Sequence, residues 1–178
     1  MRPRRLRALL GGPSTSPLDI MKHLLLPALM VAAILLVALV IRSRMAPQIR
    51  VTVTDIPRII NLLSTSSRAP AFAVLMFNTA DRPNAQDALN LQFSMENGRV
   101  GLDWVLLGPR NIEDKDALSQ YIRRRGYSYS EETQNKVTYL RIEDGDLAQL
   151  GDDIITKFYA LPRTGQLNLI AEGFAWTS

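Results

Sequence analysis

The chain has 178 residues, no cysteine, a single histidine (His23) and a formal net charge of +4. That length holds one ordinary domain plus an extension. The composition excludes disulfides, thiolate metal sites, iron–sulfur clusters and a cysteine nucleophile, and it leaves no histidine for a Ser-His-Asp triad or a metal site beyond residue 23.

The charge is unevenly spread. Residues 1–50 hold eight of the 21 Lys/Arg (Arg2, Arg4, Arg5, Arg7, Lys22, Arg42, Arg44, Arg50) and one of the 17 acids, Asp19. The remainder therefore carries 13 bases and 16 acids, net −3. A mildly acidic body argues against binding to a phosphate backbone, so nucleic acid is not an expected partner.

In chain order, a basic segment (1–23) comes first. It is followed by "LLLPALMVAAILLVALVI" (24–41), which has no charged or polar side chain. A helix of that length spans about 27 Å, close to the roughly 30 Å hydrocarbon core of a bilayer. Lys22 and His23 flank one end and Arg42 and Arg44 the other, while Pro27 sits in the first turn, where its missing N–H costs little. The segment predicts a single transmembrane helix and places the protein in the membrane. Two other readings compete. A cleaved signal peptide wants a shorter apolar region and a small-x-small cut, but the only candidate, after Ala46, has Arg44 at −3 and Pro47 at +1. A core helix apolar all round would need a larger protein around it.

The side on which the remainder lies depends on the start. From Met1, the five flanking Lys/Arg before the span outweigh three after it, which puts the body outside the cytoplasm. From Met21, "MKHLLLPALM" leaves Lys22 against three arginines and puts it inside.

After a juxtamembrane linker (42–48), one globular domain (49–178) is expected. "IRVTVT" (49–54) alternates with period two and predicts a strand. Asp55 then caps a helix whose Ile56, Ile59, Ile60 and Leu63 share a face. "AFAVLMF" (71–77) is a continuous apolar run, as in a central strand covered on both faces, and 78–87 is a polar loop. In "LNLQFSMENGRVGLDWVLL", Asn97-Gly98 between two alternating runs predicts a type I′ hairpin in which facing residues sum to 195. Met95 then meets Val100, Phe93 meets Leu102, Leu91 meets Trp104 and Leu89 meets Leu106; on the other face Gln92 meets Asp103, and Glu96 meets Arg99 at the turn.

"NIEDKDALSQYIRRRG" (111–126) reads as a helix capped by Asn111 and ended by Gly126, with Leu118, Tyr121 and Ile122 buried. Two strands follow, near 127–130 and 136–142, then a helix from 146 to 160 and a last strand near 166–174. From the second hairpin strand onward the order is β-α-β-β-α-β. The fold class predicted is α+β, with a mainly antiparallel sheet, helices on one face, and the element order of an extended ferredoxin-like plait.

The chemistry-bearing stretches are few. Glu143, Asp144, Asp146, Asp152 and Asp153 fall within eleven positions. Asp144 as cap, Asp146 at the dipole and Asp153 paired with Lys157 give them helix roles, with Asp152 about 240° round the helix from Asp146. The competing reading is a weak metal site of Glu143, Asp144 and Asp146, without the D-x-D-x-D-G spacing of a calcium loop. "YIRRRGYSY" (121–129) interleaves Arg123, Arg124 and Arg125 with tyrosines, either as a helix terminus or as a contact for anionic lipid or single-stranded nucleic acid. Trp176 either seals the core or is exposed for a partner.

The sequence contains no glycine-rich phosphate loop, no G-x-S-x-G and no Ser-x-x-Lys, so neither a cofactor nor a catalytic residue is assigned. The expected function is a membrane-anchored, non-catalytic interaction or accessory module with a protein partner. The alternatives are a carboxylate-based or cation-dependent activity, and an anionic contact through the arginines.

Overall fold

The computed structural model describes residues 49–177. The basic segment, the predicted membrane helix (24–41) and the linker lie outside the described residues. Among those described, no helix is long and apolar enough to cross a membrane.

Seven strands form one sheet: β1 (Ile49–Val51), β2 (Phe72–Phe77), β3 (Leu89–Glu96), β4 (Arg99–Val105), β5 (Ser130–Gln134), β6 (Val137–Ile142) and β7 (Leu167–Glu172), in the order β1-β7-β2-β3-β4-β6-β5. Every pairing is antiparallel. The helices are α1 (Ile56–Ser64), α2 (Pro109–Glu113), α3 (Lys115–Arg124) and α4 (Leu147–Asp153), the last continued by a π-helical turn, Ile154–Phe158. The fold is α+β with its helices on one face.

The hairpin forms in the predicted register, with Phe93 opposite Leu102, Met95 opposite Val100 and Glu96 opposite Arg99. Asn97 and Gly98 both take positive φ (51° and 78°), which a type I′ turn requires and which matches the twist of the flanking strands. The next hairpin uses the same geometry at Asn135 and Lys136 (φ 52° and 67°) and carries its first strand to Ser130–Gln134, later than the sequence suggests.

The plait is not formed as predicted. In that arrangement the last strand would lie beside β4. Instead β7 lies between β1 and β2, with β2 and β3 separating it from β4. A strand has two edges; β4 gives one to its hairpin partner β3 and the other to β6, so neither remains for β7.

The core lies between the sheet and the helices. Ile56, Ile59 and Leu63 of α1, Leu118 and Ile122 of α3, and Leu150 and Ile154 of the last helical segment meet Leu75, Phe93, Leu102, Trp104 and Leu140 of the sheet. Most of these side chains are inaccessible to water, and each fully buried Leu, Ile or Phe contributes about 1.5–3 kcal/mol relative to exposure. The π-helical turn lets consecutive Phe158 and Tyr159 both pack. Tyr159 stacks on Trp104 (6.0 Å between centroids) and donates to Asp114 (2.9 Å), while Phe158 lies 5.2 Å from Tyr121.

Several local expectations are corrected. The first strand stops at Val51, and a 3-10 turn (Val53–Asp55) follows because the Asp55 carboxylate accepts from the Thr52 backbone N–H (2.8 Å). The helix expected over 111–126 is two helices, and the first begins at Pro109. Asn111 is not its cap. Fully buried, it accepts from Asn90 N (3.2 Å) and donates to Asn90 O (2.9 Å), and its carbonyl accepts from the Trp104 indole (3.0 Å). The final helix is capped by Asp146, whose carboxylate accepts from Gln149 N (2.9 Å), rather than by Asp144. Finally, β2 is interior to the sheet but covered on one side only: Ala73, Leu75 and Phe77 are buried while Phe72, Val74 and Met76 are half-exposed.

Candidate functional site

The opposite face of the sheet carries no helix among the described residues. Strand alternation and register place there Phe72, Val74 and Met76 of β2 with Asn168, Ile170 and Glu172 of β7. Farther along the sheet come Gln92, Ser94 and Glu96 of β3, Gly101 and Asp103 of β4, Tyr139 and Arg141 of β6, and Glu132 of β5. The first group is a half-exposed apolar strip; the second is a charge network.

The centre of that network is buried. Arg141 and Asp103 are 2% and 1% exposed on a face with no helical cover, because the long guanidinium side chain lies back across the sheet. Arg141 Nη1 donates to Asp103 Oδ1 (2.7 Å) and Ser94 Oγ (2.9 Å), and Nε donates to Glu143 (2.8 Å) with Glu96 at 3.7 Å. The guanidinium rests on Gly101, where an added Cβ would sit 2.5 Å from Cζ. Glycine within a strand weakens it unless something approaches the backbone closely, and here something does.

The charges within it are unevenly supported. Burial pushes the Asp103 carboxyl above its ordinary range, with Ser94 and Arg141 opposing that shift. Burial also works against the Arg141 charge, but Glu143, Asp103 and Glu96 outweigh it and hold the guanidinium above its usual value. Glu96 is raised by burial and by Asp103, Glu132 and Glu143 against the pull of Arg141. Tyr139 is pushed up to about 12 by burial and by Glu96 and Glu132, the latter accepting its hydroxyl proton at 3.2 Å. Acid exceeds base around this face.

Chemically the network is closed. Ser94 Oγ donates to a carboxylate and accepts from a guanidinium, and among the described residues no imidazole or amine is hydrogen-bonded to it to take its proton. Two shallow clefts lie elsewhere. One, of about 270 Å³, is bordered by Arg125, Tyr127 and Gly145, and the other, of about 340 Å³, by Pro57, Ile60 and Leu147.

The residues singled out in the sequence are largely engaged with one another. Glu143 binds Arg141, Asp144 binds Arg99 (2.7 Å) and Asp146 caps α4; among the described residues no group of three acidic side chains gathers as a cation would require. Asp152 and Asp153, expected on a solvated face, are buried. Asp153 is held by Lys157 (2.6 Å), Gln149 (2.7 Å) and Arg125 (2.9 Å), and Asp152 by Arg163. Arg123 lies over the Tyr129 ring (5.0 Å) and Arg125 over Tyr121 (5.2 Å), while Arg124 is exposed. Trp176 is half-buried against the core, with Arg58 stacked on it at 4.4 Å. Sequence reasoning missed the Asp103–Arg141 pair, since it placed Asp103 opposite Gln92 on the other face of the hairpin and gave Arg141 no partner. Gly101 was the available signal.

No protein-family model matches the chain, and comparison with curated proteins and with solved structures gives no match.

Proposed function

We propose that this protein is a single-pass, membrane-anchored, non-catalytic binding module that presents the helix-free face of its sheet to a protein partner. The observation that carries the reading is the composition of that face: a half-buried apolar strip of Phe72, Val74, Met76 and Ile170 beside a network whose buried centre, Ser94, Asp103 and Arg141, is hydrogen-bonded to itself. An antiparallel sheet readily leaves one face to solvent, but such a face is normally polar across its width. An apolar strip on it marks a place where another surface lies. The anchor rests on the 18 apolar residues 24–41 and their basic flanks.

Two measurements test the anchor. The full chain stays with membranes through alkaline carbonate extraction, and an Ile34→Arg change, which puts a charge near mid-bilayer at about 2.5–3.5 kcal/mol, lowers the membrane-inserted fraction. Release of the unaltered chain by carbonate would sink the reading. Protease accessibility of a C-terminal tag in vesicles of known sidedness then assigns the side: protection from a cytoplasmic protease means an extracytoplasmic domain, and cleavage a cytoplasmic one.

A further inference from the structure

The face has a specific chemistry, and it narrows the partner. Its alternating positions carry five carboxylates (Glu96, Asp103, Glu132, Glu143, Glu172) against three arginines (Arg50, Arg99, Arg141), an excess of two negative charges. Three of the acids, Glu96, Glu132 and Glu143, surround the Arg141–Tyr139 corner and remain half-exposed. The apolar strip lies on the two interior strands β2 and β7, one strand from Glu96 on β3 and four strand spacings, about 19 Å, from Glu132 on β5. From β7 to β5 there are five strand spacings, about 24 Å at about 4.8 Å each, the rise of roughly 16 helical residues, so a helix lying across the strands reaches both the strip and the acids. Asn168, whose Oδ1 finds no hydrogen-bond donor among the described residues, closes the strip opposite Met76.

We infer that this face docks a cationic amphipathic helix of a partner protein lying across the strands, with apolar residues on Val74, Met76 and Ile170 toward one end and Lys/Arg toward Glu96, Glu132 and Glu143 beyond them. The assignment rests on the reading of the chain as a binding module. Charge complementarity selects the occupant: the excess of carboxylates attracts a basic segment and repels both anionic lipid headgroups and nucleic acid. Shape agrees, since the helices on the other face already pack against this sheet through stripes of the same kind. Burial is the main reason that the Glu96 carboxyl and the Tyr139 hydroxyl are raised, and the neighbouring carboxylates add a smaller push that a docked cation would offset.

The test uses the full chain in nanodiscs of zwitterionic lipid, with empty nanodiscs as blank, and two labelled peptides of about 18 residues, or five helical turns. Both carry the same leucine stripe; one has lysines and the other glutamates on its polar face. Fluorescence anisotropy is expected to show binding of the lysine peptide only. That binding weakens with added salt and falls about tenfold or more in Glu96→Gln/Glu132→Gln, and similarly in Val74→Ser. Glu96→Gln alone, at a half-exposed hairpin position, is the variant least able to disturb folding, and circular dichroism verifies each protein. Equal binding of the two peptides, no binding of the lysine peptide, or binding that survives all three variants would overturn the inference. The module reading has its own readout, crosslinking from Val74 in native membranes, so the two can fail separately.

Discussion

Replacing Gly101 by alanine is expected to loosen the buried ion pair from beneath. The substitution adds one methyl at a position whose backbone conformation tolerates any residue, so the outcome depends on space alone. The methyl would lie 2.5 Å from Arg141 Cζ and 2.7 Å from both Nη atoms. A free side-chain end would swing aside at little cost, but this guanidinium is fixed by Asp103 (2.7 Å), Glu143 (2.8 Å) and Ser94 (2.9 Å). Displacing it weakens hydrogen bonds between charged groups, about 1.5–3 kcal/mol each, and leaves Asp103 less well compensated; full loss of a buried partner costs about 3–5 kcal/mol. Against that, Gly→Ala gains about 0.4–1 kcal/mol by restricting the unfolded chain. The net is a loss of about 2–3 kcal/mol, which for a domain of this size lowers Tm by roughly 6–12 °C. Urea and thermal denaturation followed by circular dichroism give the value. The decisive arm repeats the change in an Asp103→Asn/Arg141→Met background, where Gly101→Ala costs less than about 0.5 kcal/mol because the charged obstacle is gone. Equal cost in both backgrounds, or a stabilising Gly101→Ala in the unaltered chain, refutes the close-approach argument.

Three further outcomes follow from the same geometry. Gly98→Ala, at φ +78° with nothing within 4 Å, loses about 1–2 kcal/mol from backbone strain alone, so a Gly98→Asn change recovers part of it in the same urea titration. Asp146→Ala removes the helix cap and costs about 1 kcal/mol, whereas Asp144→Ala breaks only an exposed pair and costs less than about 0.5 kcal/mol; the reverse order would return the cap to Asp144. At Asp153, burial alone would raise the carboxyl, but Lys157, Gln149 and Arg125 overcome it and hold the group below its ordinary value. The folded state then binds fewer protons than the unfolded chain, so this stabilisation is full above the ordinary carboxylate pKa, near 4, and is lost as pH falls through the lower folded value. Asp153→Asn lowers stability at neutral pH and flattens the fall between about pH 5 and 3, read from urea midpoints across that range.

What was legible in the sequence was local. Asn97-Gly98 fixed a register because two adjacent positive φ values suit few other dipeptides, and the alternating apolar runs admit no one-residue slip. Asn135-Lys136 makes the same turn but gave no signal, since lysine seldom takes positive φ, and the strand before it was placed early as a result. The plait was inconsistent with the hairpin already assigned, because one strand cannot pair with three neighbours. The final helix was foreseen but its cap misplaced by two residues, as either Asp144 or Asp146 fits the spacing and only Gly145, at φ +87°, separates the approach from the helix. The network was least accessible. Asp103 and Arg141 are 38 residues apart and meet across the β4–β6 pairing, which the alternation of each strand alone does not specify.

The central claim is that the sheet face carrying no helix among the described residues is where this protein meets its partner, and site-specific photocrosslinking tests it most directly. A benzophenone side chain is placed in the full chain, in its native membranes, at Val74 on that face or at Asp116 on exposed α3. The account predicts a defined crosslinked protein from Val74, absent from Asp116, whose joined peptide carries an apolar stripe flanked by lysine or arginine. Crosslinks from Asp116 with none from Val74, or from Val74 to lipid alone, would contradict it.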